Sequence, residues 1–180
     1  MPADQRIDRD GGRAVVVKAA PPGADADRLA AEALVLARAS LPGVVEVVRA
    51  ERTEAGGFEL VTALAGTRTL VDARLDVGTT AAVIAALATT VADLHALGIA
   101  HRRLTPDHVV LHGSGRPVLC GFGGAAEVER ASVADDMAAL GELLTTLLCG
   151  PAGAAGDWEP IPERRFRRRA RVGVTRRALL

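Results

Sequence analysis

Residues 13 to 20, RAVVVKAA, place three valines in a row before a lysine and two alanines. A β-branched run of that length is the pattern of a buried strand. The next stretch, PPGADADRLAAEALVLARASLPG, opens on turn residues, continues with acids suited to a helix start, and sets Leu29, Ala33, Leu34 and Leu36 on a helical period before Pro42-Gly43 closes it. VVEVVRAE (44–51) and FELVTALA (58–65) predict two more strands, and the glycines of the intervening RTEAGG suit a hairpin turn. An antiparallel sheet with one helix against it is the expected product. The polar start MPADQRIDRDGG reads as a lead-in, its Gly11-Gly12 forming a turn just before the first strand.

Past residue 75 the period changes to that of helices. TTAAVIAALATTVADLHALG (79–98) has a wide apolar face and a stop signal at Gly98. Two short strands, HVVLH and PVLCG, flank the turn GSGR, and DDMAALGELLTTLLCG (135–150) predicts a second apolar helix. PAGAAGDWEPIP is a loop by its proline and glycine content, and the last 17 residues, from Arg164, hold eight arginines and no acid. No internal repeat is present. The pattern divides the chain into a sheet-and-helix part (1–74), a mainly helical part (75–150) and a linker with an Arg-rich segment (151–180).

Composition sets bounds on this picture. A chain of 180 residues, 49% apolar and formally neutral, suits one domain or two small lobes sharing a cleft, and argues against compositional disorder and against general nucleic-acid binding. No apolar run is read as approaching the ~18 residues of a membrane span, and the start lacks a secretory h-region, so a cytoplasmic protein is expected. Cys120 and Cys149 are far apart and outside any metal-ligand spacing, which reads as two reduced thiols. Among 22 basic residues the only lysine is Lys18. A compact ammonium on a slim stem differs chemically from the guanidinium used everywhere else, so Lys18 calls for a local reason.

The order of pieces supplies one. A strand ending in VVVK, a helix carrying Glu32, two strands, a long helix, HRRLTPDHVVL, a short hairpin, CGFGGA and an apolar helix with Asp136 together resemble the protein kinase family. The resemblance covers roughly residues 10 to 150. It implies an α+β, two-lobed kinase-like fold: a small antiparallel sheet plus one helix in the N-lobe, a mainly helical C-lobe, and both lobes truncated. Lys18 matches the family's strand lysine and Glu32 the helix glutamate that pairs with it. His101, Arg102, Leu104 and Pro106 match the catalytic loop, Phe122 and Gly123 the F-G of D-F-G, and Asp136 the buried aspartate that ties the catalytic loop down.

The departures fall on the chemistry. Arg103 stands where the family has its catalytic base, Thr105 where a catalytic-loop lysine is usual, His108 in place of the metal-ligand asparagine and Gly121 in place of the metal-ligand aspartate. No Gly-rich loop precedes Lys18, and only twelve residues separate Gly123 from Asp136, leaving little of the peptide-substrate platform. Phosphoryl transfer rests on positioning and charge neutralisation by metal ions, with a carboxylate receiving the hydroxyl proton. A guanidinium has no acceptor lone pair, glycine has no ligand atom, and imidazole is a poor partner for Mg2+. Asp107 as a substitute base is disfavoured because the family's loop turns that position away from the cleft. The neighbouring Asp135 and Asp136 diverge by ~100° on a helix, so they do not form an acid/base pair. His101, His108, His112 and Cys120 match no zinc spacing.

The resemblance therefore implies a catalytically inactive pseudokinase acting as a regulatory or protein-interaction module, with no metal and no cofactor. Lys18 and Glu32 are either a vestigial nucleotide or anion contact, leaving weak metal-independent nucleotide binding, or an ion pair that holds the helix to the sheet. Two rival readings are a weak noncanonical ATP-dependent phosphotransferase and a membrane-surface module, tethered through sequence beyond residue 180. In the latter, Arg164, Arg165, Arg167, Arg168, Arg169 and Arg171 would face anionic lipid. Nucleic acid is disfavoured as a partner, since only Trp158 and Phe166 accompany those arginines as stacking residues.

Overall fold

The valine run becomes the second strand of a four-stranded antiparallel sheet in the computed structural model, which describes residues 4–149. Its strands are β1 (Asp4–Asp10), β2 (Arg13–Ala20), β3 (Val47–Arg52) and β4 (Phe58–Ala63), in the order β1-β2-β4-β3, with α1 (Ala24–Arg38) between β2 and β3 in the chain. Pairing of Lys18 with Leu60 and of Ala20 with Phe58 puts these four on the face that receives α1. Val15, Val17 and Val61 pack together on the opposite face, partly roofed by the side chains of Arg6, Arg49 and Glu59. α1 turns Leu29, Ala33 and Leu36 inward, as its period predicts. Leu34, expected on that face, is instead 70% exposed, because a position one residue from Ala33 lies ~100° around the helix.

The largest correction concerns the polar start. Asp4–Asp10 is a full strand paired with β2 from Asp4–Ala19 to Asp10–Arg13. Gly11 and Gly12, at φ 56° and 86°, form the two-residue turn whose twist suits a hairpin. Every residue of β1 is exposed, so no face needed apolar alternation and the usual sequence signal of a strand is missing.

The remainder is built from α2 (Val77–Ala96) and α3 (Arg130–Cys149), which pack on each other, and from short strands. These are β5 (Arg68–Thr69), β6 (Ile99–Ala100), β7 (Val109–Leu111), β8 (Pro117–Leu119) and β9 (Ala126–Glu127). They form the sheets β5-β7-β8 and β6-β9. The β7–β8 hairpin lies where HVVLH and PVLCG predict it, whereas two-residue strands leave no readable pattern. Asp76 caps α2 by accepting from the Thr79 N–H (2.8 Å) and hydroxyl (2.7 Å), and Gly98 at φ 76° ends it. α3 begins five residues before the expected 135. The reading that no apolar run nears membrane-spanning length is also corrected. Val77–Ala96 is long and apolar enough by length and composition, and its Val83, Leu87, Val91 and Leu94 are buried in the protein core.

A single apolar cluster runs from Ala20 and Leu60 through Leu87 and Leu94 to Leu119, Phe122 and Leu143, so the fold is mixed α+β around a shared core. Each fully buried leucine or phenylalanine of this cluster contributes about 1.5–3 kcal/mol. Main-chain bonds reinforce the junction: Val45 N–H donates to Leu119 O (2.9 Å) and Leu119 N–H to Gly43 O (2.7 Å). The Arg-rich segment and its arginines, with Trp158 and Phe166, lie outside the described residues.

Candidate functional site

Asp136, 1% exposed on the inner side of α3, is the acceptor around which the loop after β6 is organised. Its Oδ2 accepts from His101 N–H (2.9 Å) and from His95 Nε2 (2.8 Å), and its Oδ1 accepts from Arg102 N–H (2.7 Å). Arg102 is the one non-glycine residue with positive φ (63°) among the described residues. A left-handed arginine costs conformational energy and persists where surrounding bonds over-determine it, and the Asp136 carboxylate supplies such bonds. Asp135, its neighbour in sequence, is exposed.

His101 is fully buried, edge-on to Phe122 with ring centroids 4.7 Å apart. Its Nε2 donates to Cys120 O (3.0 Å) and its Nδ1 accepts from Arg103 N–H (3.3 Å), partners that select the Nε2-protonated tautomer. Burial holds its pKa below the ordinary histidine value. The imidazole therefore braces the loop as a neutral ring.

Gly121 and His108 stand beside each other. Gly121 has φ 78°, and a Cβ built on it would come within 2.6 Å of His108 Cγ and 2.7 Å of Nε2. The imidazole fills the space a side chain at 121 would need. His108 is fixed there by its Nδ1, which donates to Arg103 O (2.8 Å) and lies 3.1 Å from Thr105 Oγ1. Cys120 donates its thiol to His108 O (3.2 Å), and burial pushes that thiol up to about 11, so it is an inert neighbour. Arg103 and Asp107 are exposed; the Thr105 hydroxyl beside Asp107 holds that carboxyl below its usual range.

Lys18 Nζ donates to Glu32 Oε1 at 2.7 Å, joining β2 to α1. Glu32 is 8% and Lys18 23% exposed, so the carboxylate is the more deeply committed partner. A Cβ on Gly123 would lie 3.5 Å from Glu32 Oε2, which puts the pair next to the turn of residues Phe122–Gly124. A hollow of about 90 Å3 lined by Arg28, Glu32, Val35 and Phe122 separates α1 from that turn.

The fold thus gathers Lys18, Glu32, Phe122, Gly123, His101, Arg102, Asp136, His108 and Gly121 into one connected region. His112 is not part of it: its ring bonds Ser114 in the β7–β8 turn. No group of three or more His, Cys, Asp or Glu side chains suited to a metal ion occurs among the described residues. The sequence reading overlooked His95. Its signal was a histidine in the last turn of an otherwise apolar helix, where a cation-capable ring suits the helix terminus. Compared with protein-family models and with curated proteins, the chain finds no match in either.

Proposed function

We propose that residues 4–149 form a reduced, two-lobed protein kinase-like domain that has given up phosphoryl transfer and works as a regulatory binding module. One observation carries the reading. A buried aspartate grips the backbone of an H-R pair, as the resemblance leads one to expect of Asp136, while the imidazole of His108 occupies the room beside Gly121 that a metal-binding carboxylate would need. The Lys18–Glu32 pair adds support, because it joins strand to helix at the positions expected from the same resemblance.

The residues present do not fit a divalent ion. Position 121 has no ligand atom and no space for one, His108 spends its Nδ1 on Arg103 O, and Arg103 offers only donors. Lys18 remains as a point charge that an anionic ligand could share with Glu32, and α1 is the element such a ligand would shift. The binding partner is proposed to be a protein, read through the position of α1. The test is a thermal melt with ATP or ADP at millimolar concentration, with and without Mg2+, beside a phosphotransfer assay. A shift that is independent of Mg2+ and lost in Lys18→Ala, with no phosphate transferred, fits a binding module. Turnover that depends on Mg2+ and on Lys18 would overturn it.

A further inference from the structure

β1 is where the protein turns main-chain groups outward. It stands at one end of the order β1-β2-β4-β3, all seven of its residues are exposed, and no strand among the described residues pairs with its outer side. The two-residue turn makes Asp10–Arg13 the closing hydrogen-bonded pair, so the even-numbered residues of β1 exchange bonds with β2. The N–H and C=O groups of Gln5, Ile7 and Arg9 therefore point away from the sheet. The Arg9 N–H agrees with that parity, since it is taken by the side chain of Asp8 (2.8 Å) and not by β2. At the centre of this free edge Ile7 is 65% exposed, an apolar side chain among charges.

We propose that β1 is the seam of a homodimer, in which two copies of this chain pair antiparallel about Ile7 and join their sheets. The inference rests on the sheet alone and stands or falls independently of the proposed function. Roughly four main-chain hydrogen bonds form, two between the Ile7 residues and one at each Gln5–Arg9 pair, from the Gln5 N–H to the Arg9 carbonyl, while the Arg9 N–H stays on Asp8. Charge selects the register. Centred on Ile7, each Arg6 faces Asp8 of the second copy, once on either side of the dyad, in the closer non-hydrogen-bonded positions. A slide of two residues, the smallest that keeps donors against acceptors, sets Arg6 against Arg6 or Asp8 against Asp8. Asp4 meets Asp10 at the ends of the seam, where Arg49, 3.9 Å from Asp10, offsets the charge. An edge guarded against pairing carries a proline, a bulge or charges that repel their own copy. β1 has a straight register and charges that match their own reverse.

The test uses the full chain. Light scattering after size exclusion at high micromolar concentration should give the mass of two chains. Ile7→Pro removes an N–H that β2 does not use, so it should give a monomer that melts where the wild type does at dilutions too low for pairing. In a Cys149→Ser background, Ile7→Cys should oxidise to a covalent dimer, because hydrogen-bonded antiparallel partners lie ~5.5 Å apart at Cα, within disulfide reach. Gln5→Cys, placed opposite Arg9, should not. Arg6→Asp should dissociate the dimer, and Arg6→Asp combined with Asp8→Arg should restore it. A wild-type monomer overturns the proposal. So does a dimer indifferent to Ile7→Pro or to the charge variants, or Gln5→Cys cross-linking as readily as Ile7→Cys. If Ile7→Pro fails to fold, the single and double charge variants decide alone.

Discussion

Replacing Asp136 by asparagine keeps the size of the side chain and removes one acceptor and one charge. The carboxylate now satisfies three donors, two on Oδ2 and one on Oδ1. An asparagine does best by turning its oxygen to His101 N–H and His95 Nε2, which leaves its amide NH2 facing the Arg102 N–H. A buried unsatisfied N–H costs about 1–3 kcal/mol, and two charge-assisted bonds reduced to neutral ones lose about 1 kcal/mol each. The sum, about 3–5 kcal/mol, equals the usual cost of removing one partner from a buried charged cluster. In a protein of this size each kcal/mol moves the melting point by about 2–4 °C, so Asp136→Asn should melt on the order of 10 °C lower. Hydrogen exchange gives the local readout: the amides of His101 and Arg102 should lose protection in the variant relative to the core of α2. A melting point within about 3 °C of wild type, with both amides still protected, would refute the idea that Asp136 holds the left-handed Arg102 in place.

Removing one member of the Lys18–Glu32 pair should cost more than removing both. Lys18→Met leaves a carboxylate that is 8% exposed without its cation, and adding Glu32→Leu should recover part of the loss in denaturant unfolding. An additive double variant would mean the two side chains act independently. Gly121→Asp alone should destabilise, since its Cβ meets the His108 ring, and Gly121→Asp with His108→Asn should recover part of the melting temperature. Equal losses in both variants would count against the imidazole as the obstacle. His101, depressed by burial, binds fewer protons folded than unfolded below its ordinary value of ~6.5. Its contribution to stability is therefore present above that pH and lost as pH falls from there through the lowered folded value. Melting temperature against pH should slope downward on acidification in that window, and more shallowly in His101→Gln; the same slope in both would show that another group titrates.

Most elements legible in the sequence were those whose burial is one-sided or complete, whereas β3, read from its valines, is exposed from Val48 to Arg52. α1, α2, β4 and the β7–β8 hairpin bury a repeating set of apolar positions, and that repetition is what a sequence carries. β1 was illegible because an edge strand with both faces wet needs no apolar residue; its nearest trace was the Gly11-Gly12 turn, consistent with a hairpin as well as with a lead-in. β5, β6 and β9 are two residues long and exist through tertiary pairing. At the site, the single lysine and the order of motifs brought out Lys18, Glu32, His101 and Asp136, whereas the relation between His108 and Gly121 was read as two separate losses. Only the backbone brings them together: the His108 carbonyl accepts from both the Cys120 N–H and its thiol, which seats the imidazole over the next residue.

The retained and the missing residues divide along an energetic line. Lys18 bonds Glu32, Glu32 borders Gly123, Phe122 packs on His101, and the His101 backbone is held by Asp136, so one continuous path links β2, α1, the turn at 122–124 and α3. Each link is buried or half-buried, and breaking the Lys18–Glu32 or the His101–Asp136 link leaves a desolvated charge or donor behind. Metal-ligand side chains are different under the proposed reading. An aspartate and an asparagine kept to hold an ion contribute little to folding once the ion is gone, so their replacement by Gly121 and His108 costs little. Here the two replacements also pack on each other. A kinase-like chain released from catalysis should therefore lose its chemistry first and keep the path that fixes the position of α1, which is the part a binding partner can read.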